Sequence, residues 1–387
     1  MLIETGQYIE PRALPLEEQR QILRAALQPG PEAREEAIEW LPRADIETMG
    51  FDSLRLMPQL YERLRMEGID TPLLPRLNGL KKHAWSKNNL LLRRANDAIR
   101  ALQQAGIDVM AIKGIALIVA YYRDYSLRPM YDADLLVPHQ HARAACQILA
   151  RHGWTNEFVN PENPHLIEQA FQYLHAAHQF DPLGRDLDLH WNLLAYRLGP
   201  GVDDDFWAGS GEAVLGGQKV RILNPADQLL HICVHGTDSP PIRWIPDALA
   251  VLRRTSDLNW DRLLAQAHKK NLTLMISRAL EHVQRDFADH VPAEVLTDLH
   301  RSRVSIFERY EYWQLSGPVN PFFGWLPRTL YRFLCRSGGN PLPVRLRLFL
   351  DFLCFEWKVP RKWQLPAAFC RRATKRILGY FGRHLEA

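Results

Sequence analysis

Paired cysteines, long charge-free stretches and repeats are all missing from this chain of 387 residues. Its five cysteines, Cys146, Cys233, Cys335, Cys354 and Cys370, are odd in number and scattered, with no C-x-x-C pair. That excludes a disulfide scaffold and a zinc ribbon, and fits reduced thiols in the cytoplasm. No window of about 18 residues is free of charge, so no membrane-spanning helix is expected. The opening MLIETGQYIEPRALPLEEQ carries acids where a signal peptide needs a basic end and an apolar run, so no cleaved leader is expected. No low-complexity tract and no fixed period is visible. What is present, 47% hydrophobic and 24% charged residues, is the composition of a globular protein long enough for two or three cores, which excludes wholesale disorder and collagen-like structure.

Charge is unevenly spread beneath a formal total of +4. From residue 321 onward 13 basic residues face three acids, whereas residues 1–320 hold 35 basic residues against 41 acids. A mildly acidic body thus carries a basic tail suited to an anionic partner. The tail interleaves its cations with aromatics, from Phe322 and Phe323 to Tyr380 and Phe381. Its segment RLRLFLDFLCFEWKVPRKW has an apolar side with flanking cations, which suits a helix lying on an anionic bilayer at the inner face of the membrane. Nucleic acid is the less favoured anionic partner, because the body is acidic.

Periodicity divides the chain into four. Residues 1–106 read as helices, including EEQRQILRAAL, SLRLMPQLYERLRMEG and a long stretch over 77–105 capped by Gly106. Residues 107–200 mix periods: a short strand at 109–112, a helix over LIVAYYRDY, a strand in YDADLLV, a helix over 139–152 ended by Gly153, and a strand in WTNEFV. YLHAAHQF and RDLDLHW flank Asp181-Pro182-Leu183-Gly184, the turn chemistry of a hairpin. Residues 201–316 return to a helical period, with Asn224 capping a helix that starts at Pro225, and Asp203-Asp204-Asp205 reads as a solvated loop. Residues 317–387 are the basic, aromatic-rich tail. The fold class expected is α+β, a small mixed sheet flanked by helical regions.

The chemistry concentrates in the second segment. Side chains at i and i+2 of a strand share a face about 6.5–7 Å apart, so Asp132 and Asp134 converge on one side, where two carboxylates can hold Mg²⁺ or Mn²⁺. Upstream, a strand runs into Lys113-Gly114 and then a helix, an arrangement that brings backbone amides and a cation to an anion. In RDLDLHW, Asp186, Asp188 and His190 alternate with apolar residues; an amphipathic strand facing water would look the same, but beside a D-x-D strand it supplies the third carboxylate of a two-metal phosphoryl-transfer site. His231 and His235 share a helix face at i and i+4; a packed pair meeting Asp247 or Arg243 is favoured over a zinc site, since no third ligand is placed.

The run GIDVMAIKGIALIVAYYRDYSLRPMYDADLLVPHQHARAACQILARHGW followed by LDLHW resembles the bacterial uncharacterised nucleotidyltransferase family, a branch of the DNA polymerase beta-like superfamily. Lys113, Gly114, Arg128, Asp132, Asp134, Asp188, His190 and Trp191 match its pattern, and LLHICVHG and IRWIPDALAVL extend the likeness to the 260s. The superfamily usually has glycine-serine at the phosphate turn, whereas Ile115 follows Gly114 here, and 17 residues separate Gly114 from Asp132. The resemblance implies transfer of a nucleoside monophosphate from an NTP such as ATP to the hydroxyl of an unidentified acceptor. By the same likeness Asp132, Asp134 and Asp188 hold Mg²⁺ and carry catalysis, and Lys113, Gly114 and Arg128 hold the nucleotide. His190, His231 and His235 would line the acceptor side. The competing reading is a catalytically silent binding or scaffold protein of the same fold in a biosynthetic pathway; three converging carboxylates speak against it, because their repulsion is costly without a cation.

Overall fold

The protein is described from a computed structural model covering residues 17–28, 30–156, 158, 166–182, 186–287, 291–316, 325–336 and 342–385. Alternating segments of the middle of the chain become strands Met110–Ala111 (β1), Asp132–Leu136 (β2), Ala176–Phe180 (β3), Asp186–His190 (β4), Gly211–Leu215 (β5) and Gln218–Ile222 (β6). They form one sheet in the order β3-β4-β2-β1-β6-β5. It is mixed: β2 runs parallel to β4 and β1 to β6, while β1–β2, β3–β4 and β5–β6 are antiparallel. The parallel β2–β4 pair requires a crossover, and the helix Ala142–Arg151 lies within it.

Two differences from the sequence reading concern the limits of this sheet. The region read as purely helical after residue 200 contains the β5–β6 hairpin, and β6 pairs with β1, so the core read as 107–200 is completed by residues 211–222. Its turn is Gly216-Gly217, both at positive φ (+56° and +81°), the conformation that a two-residue hairpin demands and glycine adopts without steric cost. The acidic run after Gly201 is not a solvated loop throughout. Asp203 is buried and accepts hydrogen bonds from the Leu193 amide (2.9 Å) and Asn192 Nδ2 (3.2 Å), and a short helix, Asp204–Ala208, follows. In WTNEFV, Thr155 makes a single antiparallel bridge to Phe180, while residues 157 and 159, like the turn residues 183–185, lie outside the described residues.

The sheet has one apolar and one polar face. Ala133, Leu135, Leu187, Leu189 and Val220 pack against Leu91, Leu92, Ala95, Ile99 and Leu102 of the helix Leu74–Gln104. Each large side chain so buried contributes about 1.5–3 kcal/mol. On the other face stand Asp132, Asp134, Asp186, Asp188 and His190. A second core joins the N-terminal helices to those after β6, with Leu23 and Leu60 clustering with Leu229, Ile245 and Leu280. The fold is therefore α+β, a small mixed sheet held between N-terminal and C-terminal helices. No helix among the described residues is long and apolar enough to cross a membrane.

In the tail, aromatics serve packing as well as surface. Phe352 is fully buried between Tyr173 (ring centroids 5.3 Å) and Phe333 (5.8 Å), and Phe355 stacks on Phe158 at 6.0 Å. Arg332 pairs with Glu356 at 2.8 Å, tying the helices Trp325–Arg336 and Leu342–Glu356 together. Trp363, by contrast, is 71% exposed. Phe322, Phe323 and the side chains of Tyr380 and Phe381 lie outside the described residues.

Candidate active site

The register of β2 against β4 sets Asp132 beside Asp186, Asp134 beside Asp188 and Leu136 beside His190. Asp134 is nearly fully buried at the centre of this array. Its Oδ1 accepts from Lys113 Nζ at 2.7 Å and lies 3.1 Å from His190 Nε2, and Lys113 Nζ is 3.4 Å from the same imidazole nitrogen. Burial acts to raise the Asp134 pKa, yet the Lys113 ammonium and His190 hold it well below the ordinary carboxylate range. Burial likewise opposes the charge of Lys113, but Asp134, with Asp188 and Asp132 behind it, keeps that lysine above its ordinary value. Lys113 reaches this position from a backbone at φ +47°, a left-handed conformation that costs a non-glycine residue about 1–3 kcal/mol and aims its side chain at the carboxylates.

One oxygen of Asp134, one of Asp188 and a nitrogen of His190 all lie within 4.8 Å of one another, close enough to share a cation. Asp132, read with them as a metal ligand, is not one of these three and is exposed beside them. Its pKa is raised, first by the desolvating walls and then by the charges of Asp134 and Asp188. Asp188 is held from the edge strand: His178 on β3 contacts it through Nδ1 (2.8 Å) and Asp186 through Nε2 (3.1 Å). The sequence reading passed over His178. Its signal was there in the hairpin, because the predicted pairing of YLHAAHQF with RDLDLHW sets a histidine opposite an acid.

Arg128 is near Asp132 and Asp134 but paired with neither. Its Nε and Nη2 each donate to Asp247 at 2.8 Å, and the Tyr122 hydroxyl donates to the same carboxylate at 2.9 Å. Gly114 has a structural reason the sequence did not show. A Cβ there would meet Met130 Sδ at 2.6 Å and Arg128 Nη1 at 2.8 Å, so the glycine makes room for these two side chains. The segment leading to β2 is clamped by Asn88 of the long helix, whose Nδ2 donates to the carbonyls of Tyr125 (2.6 Å) and Arg128 (2.9 Å) and whose Oδ1 accepts from the Met130 amide (3.0 Å). No motif marks Asn88.

His231 and His235 do share one face of the helix Pro225–Gly236, with ring centroids 6.3 Å apart. Burial, followed by His235 and Lys113, pushes His231 far below its ordinary pKa, and burial followed by Lys113 brings His235 down to about 4, so both stay neutral. His235 Nδ1 meets Ser239 Oγ at 2.7 Å rather than Asp247 or Arg243. Together with Lys113 these histidines form a wall between two cavities. The larger, about 430 Å³, is lined by Gly114, Arg128, Asp132, Asp134 and Asp247, and also by Phe51, Arg55, Tyr131, Arg243 and Trp244. The smaller, about 220 Å³, lies on the side of His175, His190, Tyr196 and Leu315. A cavity of the larger size suits a small ligand.

A family model described as uncharacterised nucleotidyltransferase matches residues 52–288. Among solved structures, the solution structure of antibiotic-resistance factor ANT(2'')-Ia is similar over 50% of this chain and 99% of its own, at 14% identity and a TM-score of 0.34. No curated protein matches the chain.

Proposed function

The chain belongs to the uncharacterised nucleotidyltransferase family, and on that premise we propose that it moves a nucleoside monophosphate from an NTP to an acceptor hydroxyl, with Asp132, Asp134 and Asp188 as the catalytic carboxylates. The observation that carries this reading is the convergence of Asp134, Asp188 and His190 within 4.8 Å, with Lys113 on Asp134 and with Lys113, Asp132 and Asp134 lining a cavity of about 430 Å³.

The donor set fits a hard divalent cation. Carboxylate oxygens suit Mg²⁺ or Mn²⁺, and Asp132, whose pKa is raised by burial first and by the charges of Asp134 and Asp188 next, stands where a cation would relieve both. Asp132, Asp134 and Asp188 would hold the metal, with His190 Nε2 in reach of the last two. When bound, it supplies positive charge against the phosphate oxygens and the departing pyrophosphate. The chain's own groups do the rest. The acceptor oxygen forms its bond to the α-phosphorus as the bond to the pyrophosphate oxygen breaks, and its proton passes to Asp188, which His178 holds in place. His231 and His235, neutral through burial, line the acceptor side without adding charge.

The test is incubation with each labelled NTP, Mg²⁺ and a cell extract, followed by mass analysis of whatever gains a nucleotide. Asp132→Ala and Asp134→Asn should abolish transfer. The isosteric change is used at Asp134 because it keeps an oxygen to accept from the Lys113 ammonium, whereas truncation would remove the acceptor along with the charge, at a cost of about 3–5 kcal/mol. Wild-type transfer by either variant with a native circular dichroism spectrum would refute the assignment.

A further inference from the structure

Four cations line the larger cavity: Arg55, Lys113, Arg128 and Arg243. Three of them have carboxylate partners, Lys113 with Asp134 (2.7 Å), Arg128 with Asp247 (2.8 Å) and Arg243 with Asp52 (2.7 Å). Arg55 has none among the described residues. It is nevertheless held firmly. Nη2 donates to the Pro129 carbonyl at 3.2 Å, and the guanidinium lies over the Tyr131 ring, 5.1 Å from its centroid. Tyr131 is itself fixed against Phe51, with centroids 4.6 Å apart. Burial, then the positive charges of Arg128 and Arg243, press the Arg55 pKa below its ordinary value. A preorganised, half-buried guanidinium that has no carboxylate in ion-pair contact among the described residues and feels Asp247 only at a distance, beside two more guanidiniums, is a place where an anion lowers the energy.

The cavity wall therefore carries both signs, Asp132 and Asp134 together with Arg55, Arg128 and Arg243. The turn at Lys113-Gly114 offers less to a phosphate than its sequence suggests, because Lys113 is committed to Asp134 and the space above Gly114 holds Met130 and Arg128. We propose that Arg55, assisted by Arg243, binds the β- and γ-phosphates of the NTP. On this assignment Arg55, which caps the short helix Phe51–Leu54 outside the nucleotidyltransferase motifs, completes the nucleotide site with Arg243 of the helix Pro241–Arg254. The inference rests on the NTP reading above and adds the residues that hold the leaving group. The family match beginning at residue 52 takes in Arg55.

The experiment is calorimetric titration of the full chain, with and without Mg²⁺, using the four NTPs, the matching nucleoside monophosphates and inorganic tripolyphosphate. Arg55→Gln keeps a donor for the Pro129 carbonyl and should weaken NTP and tripolyphosphate by about 10- to 100-fold, the scale of one charge-assisted hydrogen bond, while leaving the monophosphate unchanged. Arg55→Lys should recover part of the loss. If Arg55→Gln does not fold, Arg243→Ala, at an exposed residue, gives the same readout and should show the same selectivity to a smaller extent. Equal losses for NTP and monophosphate, or no loss in a folded variant, overturn the proposal while leaving the nucleotidyltransferase reading standing. A wild-type protein that binds neither NTP nor tripolyphosphate overturns both.

Discussion

Asp247→Ala would leave the Arg128 guanidinium buried with its charge uncompensated, and the structure lets the cost be worked out. The pair is bidentate, with both contacts at 2.8 Å, and the two side chains are 16% and 8% exposed. Arginine cannot escape by losing its proton, since a guanidinium stays protonated in a protein even without a partner. Removing one partner of such a pair costs about 3–5 kcal/mol, and the Tyr122 hydroxyl loses its acceptor as well. At about 2.1 cal/mol/K of unfolding entropy per residue, a chain of 387 residues shifts by about 1.2 °C per kcal/mol, so the melting temperature should fall by about 4–6 °C. Thermal melts followed by circular dichroism measure it. The double variant Arg128→Met with Asp247→Leu should regain most of the loss, because an apolar pair of similar volume needs no compensation. A fall of less than about 1 kcal/mol for Asp247→Ala would refute the reasoning and mean that water already reaches Arg128. The same melts bear on function: if Arg128→Ala weakens NTP binding more than nucleoside binding by about 1.5–3 kcal/mol, Arg128 also touches phosphate.

Three further outcomes are expected. Asp203 has a pKa raised to about 6, by burial foremost, so its ionisation in the folded state costs stability that is present below about pH 4 and lost as pH rises through 6; wild type should lose about 3 kcal/mol against Asp203→Asn between pH 4 and 8, and melts that run parallel would refute this. Gly114→Ala should destabilise by about 1–3 kcal/mol, because its methyl group meets Met130 and an Arg128 locked by Asp247, and an unchanged melting temperature would show that both side chains give way freely. Phe352→Ala, in the tail, should cost about 3–5 kcal/mol by emptying the space between Tyr173 and Phe333, and if the variant instead only reduces co-sedimentation with anionic vesicles, the aromatic serves a membrane surface rather than packing.

Local pattern carried much of the candidate site. The D-x-D strand, the Asp188 and His190 alternation, the Lys-Gly turn and the histidine pair on one helix face are all period arguments over fewer than ten residues, and each residue lies where its period places it. The pairing of YLHAAHQF with RDLDLHW also followed from local turn chemistry. The β5–β6 hairpin carried an equally local signal, Gly216-Gly217 between alternating residues, which the surrounding helical period obscured.

Periodicity states which face a side chain occupies but not what meets it there. Arg128 and Asp247 are 119 residues apart, and Lys113 and His190 are 77 apart. Their pairing is decided by how the long helix packs on the apolar face of the sheet and how the later helices close over the polar one. For the same reason Asn88, Arg55 and the room that Gly114 leaves for Arg128 carry no motif. Each is defined by a distance in space, and the energy of a charge depends on the partners that packing brings to it. The amino-acid sequence by itself determined the strands that carry the site, their faces and the chemical class of the carboxylate cluster. Only the tertiary structure decided which cation each carboxylate takes, and which arginine is left for a ligand.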